Sequence, residues 1–214
     1  MPDTALAIAT TLAALLAIAA EPLGLPWLAF VFKPLATVGV IAYAWRRGAG
    51  TPSMRRWLRA GLVLGLLGDI ALLWPQQGFV PGLGAFLLGH LCYLRAFTRD
   101  AGLAARPLAF AAYAVVAGSV LAFLWPGVPG ELKLPVGVYV LCLSAMAAQA
   151  ASRALQLRQR AAGIAAAGAG LFVVSDALIA IDRFHAPLPA ATALILSTYW
   201  VAQWCIATAL ALSR

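Results

Sequence analysis

Charge is scarce in this chain, and so are the residues that most often carry soluble chemistry. Of 214 residues only 10% are charged, while 64% are hydrophobic. Such a composition cannot cover a water-soluble surface. There are two histidines, His90 and His185, and three cysteines, Cys92, Cys142 and Cys205. No HExxH and no paired CxxC occurs, so no metal is expected. The odd number of cysteines, all within apolar runs, points to small buried hydrophobes. A P-loop, a dinucleotide fingerprint and a G-x-S-x-G elbow are also missing, and no cofactor is expected.

What is present is a series of long apolar runs. Eight segments have the length of a membrane span: Thr4–Ala20, Trp27–Trp45, Trp57–Trp74, Phe79–Phe97, Pro107–Trp125, Leu132–Ser152, Ala161–Ile181 and Ala190–Leu210. They lack period-2 alternation, which excludes a β-barrel. The connections are short. The expected fold is therefore all-α: a polytopic membrane bundle of eight transmembrane helices, one domain over residues 1–214, with no soluble domain. The first run has Asp3 and no Lys or Arg before it, so the basic leader of a signal peptide is missing and the segment reads as a retained helix.

The basic residues are distributed unevenly. Arg46, Arg47, Arg55, Arg56, Arg59, Arg95, Arg99, Arg106, Arg153, Arg158, Arg160 and Arg214 fall on one set of alternate loops and helix ends, and only Lys133 and Arg183 fall on the other. This is the positive-inside pattern, and with eight spans it places both termini in the cytoplasm. A bacterial inner membrane is the expected location. The net charge of +8 then serves orientation and contact with anionic lipid. Nucleic acid is not an expected partner, since no recognition motif accompanies the charge. Trp27, Trp45, Trp57, Trp74 and Trp125 mark span ends, as interfacial aromatics do. Pro34 directly follows Lys33, where a local kink is expected to free backbone carbonyls for a polar site.

Two of the few acids lie inside spans. Asp69 sits in WLRAGLVLGLLGDIALLW and Asp176 in AAGIAAAGAGLFVVSDALIAI. A carboxylate there costs about 3 kcal/mol or more on insertion scales, so it marks proton transfer, ion passage or pairing with a buried cation. At about 1.5 Å of rise per residue, Lys33, Asp69, His90, Tyr139, Asp176 and Tyr199 all fall in one layer roughly 8–16 Å below the non-cytoplasmic boundary. Six polar side chains from six spans at one depth imply a polar chamber open to that side. Gly61, Gly65 and Asp69 share one face, and so do Gly168 and Asp176. Small faces admit neighbouring helices and turn the acids inward. His90 pairs with Tyr93 on one face, and Tyr199 with Gln203 on another. Gln149 lies outside this layer.

Each of these residues also has a plainer reading. Either aspartate could neutralise Lys33 in a structural ion pair. Lys33 itself could be that partner, a phosphate ligand or a snorkelling anchor. His90, Tyr139, Tyr199 and Gln203 could be interhelical hydrogen bonders. GDIALL and SDALIA form a short internal echo, consistent with related four-helix halves over 1–106 and 107–214. On these residues alone, a proton-coupled lipid or small-molecule transporter competes with an enzyme, and an ion-paired assembly protein competes with both.

The chain resembles YhhN-type integral membrane proteins, the lysoplasmalogenase family. The resemblance rests on Lys33-Pro34, GLLGDIALL, GLGAFLLGHLCYLRAF, Tyr139 with Met146, LFVVSDALIAIDRF with Ser175-Asp176, and STYWVAQ. It covers nearly the whole length, and departs where Trp200 stands at a position often held by a second tyrosine. The resemblance implies hydrolysis of the vinyl ether of a lysoplasmalogen to a fatty aldehyde and glycerophosphoethanolamine or glycerophosphocholine. It implies an Asp69–Asp176 pair as the catalytic acids. Lys33, His90, Tyr93, Tyr139, Ser175, Tyr199 and Gln203 would support or bind substrate. Protonation of a vinyl ether carbon creates an oxocarbenium ion, so one carboxyl would be protonated and the other ionised, as in glycoside hydrolysis. The expected partners are the lysophospholipid substrate and the bilayer.

Overall fold

A computed structural model describes residues 3–211 and contains eight α-helices. They are α1 (Asp3–Ala19), α2 (Pro26–Trp45), α3 (Pro52–Ala71), α4 (Phe79–Phe97), α5 (Pro107–Leu124), α6 (Lys133–Leu157), α7 (Arg160–Phe184) and α8 (Ala191–Ala207), with three short 3-10 turns and no strand among the described residues. Their order and number follow the apolar runs. Their boundaries follow local chemistry. Proline occupies the first helical position of α2, α3 and α5, where its missing N–H costs nothing. Thr51 caps α3 by accepting from the Met54 amide at 3.1 Å. Arg158, at φ +53°, ends α6 in the left-handed region, so α7 begins two residues later. Pro34 does not break α2, which runs continuously to Trp45.

Six helical segments are long and apolar enough to cross a membrane, including those of α2 and α4 to α8. The remaining two expected spans differ for identifiable reasons. The α1 helix has 17 residues, about 25 Å of rise against a hydrocarbon core of roughly 30 Å. The α3 helix starts earlier than its apolar run and carries Arg55, Arg56 and Arg59 in its first turns. The bundle surface is nevertheless a lipid-facing one. Leu108, Leu134 and Leu141 are 80%, 77% and 72% exposed, and a water-soluble chain does not display such side chains over so wide a surface. Trp27, Trp45 and Trp74 are exposed at helix ends, as interfacial anchors are. The molecule is an integral membrane protein.

Within the bundle, α3 packs on α4, α7 on α8, α1 on α2, and α6 on α4, α5 and α7, while α2 touches both α3 and α8. The α5 helix is peripheral, with only Ala109 and Leu124 buried. The core is built from Leu58, Leu62, Tyr93, Phe97, Met146 and Phe172, all nearly inaccessible. At the arginine-rich end, cations close the loops. Arg59 donates to the Arg47 carbonyl at 2.8 Å and the Trp45 carbonyl at 3.1 Å, at the C-terminus of α2 where positive charge is favourable. Arg153 holds Asp100 through two bonds of 2.7 and 2.6 Å.

Gln149 lies outside the polar layer, as its position along α6 indicates, and has a structural task. Its amide donates to the Phe97 and Gly102 carbonyls, both at 3.2 Å, and accepts from the Ala104 amide at 3.0 Å, fixing the loop between α4 and α5. Gln149→Leu is expected to cost roughly 1–3 kcal/mol in thermal unfolding, because those loop groups lose their buried partners. Amide exchange over residues 98–106 should rise.

Candidate functional site

The polar layer forms as two hydrogen-bonded sets, each gathered around one aspartate. Asp69, on α3, is 2% exposed. Its Oδ2 accepts from Thr37 Oγ1 at 2.6 Å and from Tyr199 OH at 2.8 Å. Lys33 Nζ approaches Oδ1 at 3.9 Å, a charge contact longer than a hydrogen bond. The shell continues outward from these groups. Trp200 Nε1 donates to Thr37 Oγ1 at 3.0 Å, Gln203 Nε2 donates to Tyr199 OH at 3.1 Å, and Tyr93 OH donates to Gln203 Oε1 at 2.7 Å. A buried carboxylate needs this many donors, because each unfilled lone pair in hydrocarbon costs free energy.

The second set is shorter. Asp176, on α7, accepts from Tyr139 OH at 2.5 Å through Oδ2. His90 Nε2 lies 3.0 Å from the same tyrosine oxygen and 3.5 Å from Asp176 Oδ2. Since Tyr139 gives its proton to the aspartate, it accepts from His90, which places the imidazole proton on Nε2. Nδ1 is then a buried lone pair, without a partner among the described residues. An imidazolium would bury a second N–H with nothing to receive it. Asp176 Oδ1 makes no hydrogen bond among the described residues.

Aromatic rings separate and join the two sets. Phe172 packs edge-on against His90 at 4.7 Å between centroids and against Tyr199 at 5.4 Å. Phe86 meets Phe172 at 6.3 Å and Tyr199 at 5.8 Å. The small face of α3 makes room for this shell. A Cβ at Gly65 would stand 2.7 Å from Gln203 Nε2 and 3.4 Å from Tyr199 OH, while Gly61 faces the Tyr93 ring and Gly68 the Phe86 ring.

Two cavities reach the site, both at the end opposite the arginine-rich loops. The first lies among α4, α5, α6 and α7, is almost wholly hydrocarbon, and has Asp176 and Tyr139 in its wall together with Phe86, Leu121, Val140 and Val173. The second has a volume of about 620 Å³ and is bounded by α1, α2, α7, α8 and the α3–α4 turn, with Lys33, Glu21, Asp182 and Arg183 among its walls. Leu72, Phe79 and Ile179 belong to both.

All six residues assigned to one depth by sequence thus belong to these sets: Lys33, Asp69 and Tyr199 in one, His90, Tyr139 and Asp176 in the other. Tyr93 and Gln203 extend the first. Ser175 stands apart, donating to the Ile195 carbonyl at 3.1 Å and tying α7 to α8. Sequence reasoning missed Thr37, Trp200 and Phe172. Thr37 was accessible, because it follows Lys33 by one helical turn and shares its face. Among the described residues no group of three His, Cys, Asp or Glu side chains could hold a metal ion.

The bundle and its buried acid–tyrosine pairs define a polytopic α-helical membrane protein with an internal polar site beside an apolar cavity. The sequence model of the YhhN family matches residues 28–210, and the chain belongs to that family. It is 40% identical over 171 residues to the Bos taurus protein named Lysoplasmalogenase TMEM86A, covering 76% of this chain and 68% of that one. It is 32% identical over 181 residues to Homo sapiens Lysoplasmalogenase TMEM86B (84% and 74%). Against the Mycobacterium bovis protein named Lysoplasmalogenase the identity is 41% over 138 residues (61% and 51%). No solved structure matches.

Thr37 gives a direct test of the first set. Thr37→Val removes one donor from Asp69 and the acceptor of Trp200, and is expected to lower stability in detergent by about 1.5–3 kcal/mol. Thr37→Ser, which keeps the hydroxyl, should recover most of that loss in a thermal unfolding comparison.

Proposed function

We propose that this protein is a lysoplasmalogenase: a membrane-embedded hydrolase that cleaves the vinyl ether of a lysophospholipid to a fatty aldehyde and glycerophosphoethanolamine or glycerophosphocholine. The observation that carries the reading is Asp176 in the wall of an apolar cavity, with Oδ2 held by Tyr139 and Oδ1 unengaged. The names of the YhhN relatives agree with it.

The chemistry follows from that placement. The substrate chain lies in the apolar cavity and brings its vinyl ether to Asp176. A proton on Oδ1 passes to the carbon β to oxygen; the π electrons form the new C–H bond, and an oxocarbenium ion remains. Water adds to the cationic carbon and gives a proton to the Asp176 carboxylate, restoring the acid. The hemiacetal then collapses as its hydroxyl loses a proton, the C–O bond to glycerol breaks, and the glycerol oxygen is protonated. The sum is the addition of one water.

Asp69 is the ionised member of the pair. Thr37, Tyr199 and Lys33 converge on it, and its negative charge favours the cation electrostatically. Tyr139 and neutral His90 fix the Asp176 carboxyl. Tyr199, Gln203 and Tyr93 orient water or the glycerol hydroxyl. Lys33 faces the second cavity and either tunes Asp69 or meets the phosphate. The same reading takes all eight helices as spans, with both termini in the cytoplasm of a bacterial inner membrane and the cavities opening to the opposite side. The placement of both cavities at the end opposite the arginine-rich loops, with Arg183 the one arginine in their walls, supports that orientation.

Purified protein in micelles, where no gradient exists, is expected to release aldehyde from an alkenyl lysolipid and none from the saturated alkyl ether. Asp176→Asn should lower turnover by about 10²-fold or more, the scale of a lost general acid. Asp69→Asn should do so as well. A folded Asp176→Asn with near-parent turnover removes that residue from the role of acid. In heavy water the first-formed aldehyde should carry one deuterium on the carbon beside the carbonyl; its absence rules out protonation at carbon.

A further inference from the structure

The second cavity holds more unspent charge than a structural vestibule needs. Lys33 is 9% exposed, yet its ammonium makes no hydrogen bond among the described residues. Its one charge contact is Asp69, at 3.9 Å, so its three donors have no close acceptor. Arg183 has five donors and spends one, on the Pro75 carbonyl at 3.4 Å. Its guanidinium is held 3.8 Å above the Phe79 ring, and no carboxylate pairs with it among the described residues. Of the two acids in the same wall, Asp182 is taken by the Leu188 amide at 2.8 Å. The Glu21 carboxylate makes neither hydrogen bond nor ion pair among the described residues, its backbone carbonyl alone accepting from the Gly24 amide at 3.0 Å. One buried cation, Lys33, and an exposed cation and acid, Arg183 and Glu21, therefore line one cavity with free hydrogen-bonding capacity.

Their position along α7 matters as much as their charge. Arg183 follows Asp176 by seven residues, two turns, so the two lie on one face with about 10 Å of rise between them. Phe79, which carries the guanidinium, is also a wall of the apolar cavity that holds Asp176. The cation thus sits at the rim where the two cavities share a wall. The short glycerol linker between a vinyl ether and a phosphate is suited to that spacing.

We propose that this cavity is a headgroup site for a zwitterionic phosphodiester, with the phosphate held between Lys33 and Arg183 and the terminal amine directed to Glu21. A guanidinium fixed by an aromatic face suits phosphate oxygens, and charge-assisted bonds to it are strong. The proposal rests on the reading of the protein as a lysolipid hydrolase and adds to it the residues that would tell that substrate's headgroup from an uncharged alkenylglycerol. The phosphodiester chemistry is shared by the intact lipid and by the free glycerophosphodiester product.

The experiment uses the full-length protein in detergent and separates binding from turnover. Binding is read from tryptophan fluorescence with three probes: 1-O-alkyl-2-lyso-glycerophosphoethanolamine, 1-O-alkylglycerol and glycerophosphoethanolamine. The parent is expected to bind the phospholipid most tightly, and the free product more weakly for want of a chain. Arg183→Gln should weaken the phospholipid by roughly tenfold or more and leave alkylglycerol unchanged, while Arg183→Lys recovers part of the loss. Glu21→Gln should weaken ethanolamine probes and leave an alkyl lysophosphatidate, which has no amine, unaffected. Equal losses on phosphorylated and unphosphorylated probes, or no loss, overturn the proposal. Hydrolysis of the alkenyl analogues is measured in parallel. Turnover by the parent with Arg183-independent binding sinks the headgroup site alone. Arg183-dependent binding without any turnover sinks the hydrolase and leaves the site standing.

Discussion

A carboxylate placed in hydrocarbon has to draw its donors from neighbouring helices, and the interior of this bundle is arranged around that demand. Asp69 draws on α2 through Thr37 and on α8 through Tyr199. Asp176 draws on α6 through Tyr139, which in turn draws on α4 through His90. The acids therefore decide which helices must stay together. Removing one partner from such a group leaves an uncompensated buried charge, a heavier loss than the net worth of any one bond. The glycines of α3 serve the same demand, since the rings and amide that satisfy Asp69 need the volume that side chains at positions 61, 65 and 68 would fill.

The two acids are satisfied to different degrees, and the proposed hydrolysis draws on that asymmetry. Asp69 is enclosed by two hydroxyl donors and a cation, behind a further shell of Trp200, Gln203 and Tyr93. Asp176 has one firm donor and an open oxygen in a cavity wall. A fully solvated carboxylate would not distinguish these states, whereas a low-dielectric interior amplifies the difference between a filled and an unfilled lone pair. The division of labour proposed for the two acids rests on the neighbours each one has.

Much of this was legible in the residues. Helix count, order and approximate ends follow from apolar runs, prolines and interfacial aromatics. Depth follows from counting residues along each run, and it brought Lys33, Asp69, His90, Tyr139, Asp176 and Tyr199 to one layer. Counting along a helix gives depth and face but not the identity of the helix alongside. For that reason the division into two sets was invisible, as was the role of Ser175 in joining α7 to α8. Thr37 escaped notice because threonine is common in membrane helices and acquires meaning only beside Asp69. Trp200 read as a departure from a tyrosine, whereas its indole N–H reaches the Thr37 hydroxyl. The α3 helix begins before its apolar run because Arg59 reaches the end of α2 and Arg55 the loop carbonyls of Gly48 and Gly50.

Leu72, Phe79 and Ile179 form a partition with grease on one side and ionic groups on the other. A molecule cut where these compartments meet yields fragments of opposite solubility. In the proposed reaction the aldehyde would remain in the oily compartment and drift out sideways among the acyl tails, while the water-soluble diester would leave past the loops. Neither fragment has to pass the other on its way out, so accumulation of one need not block release of the other.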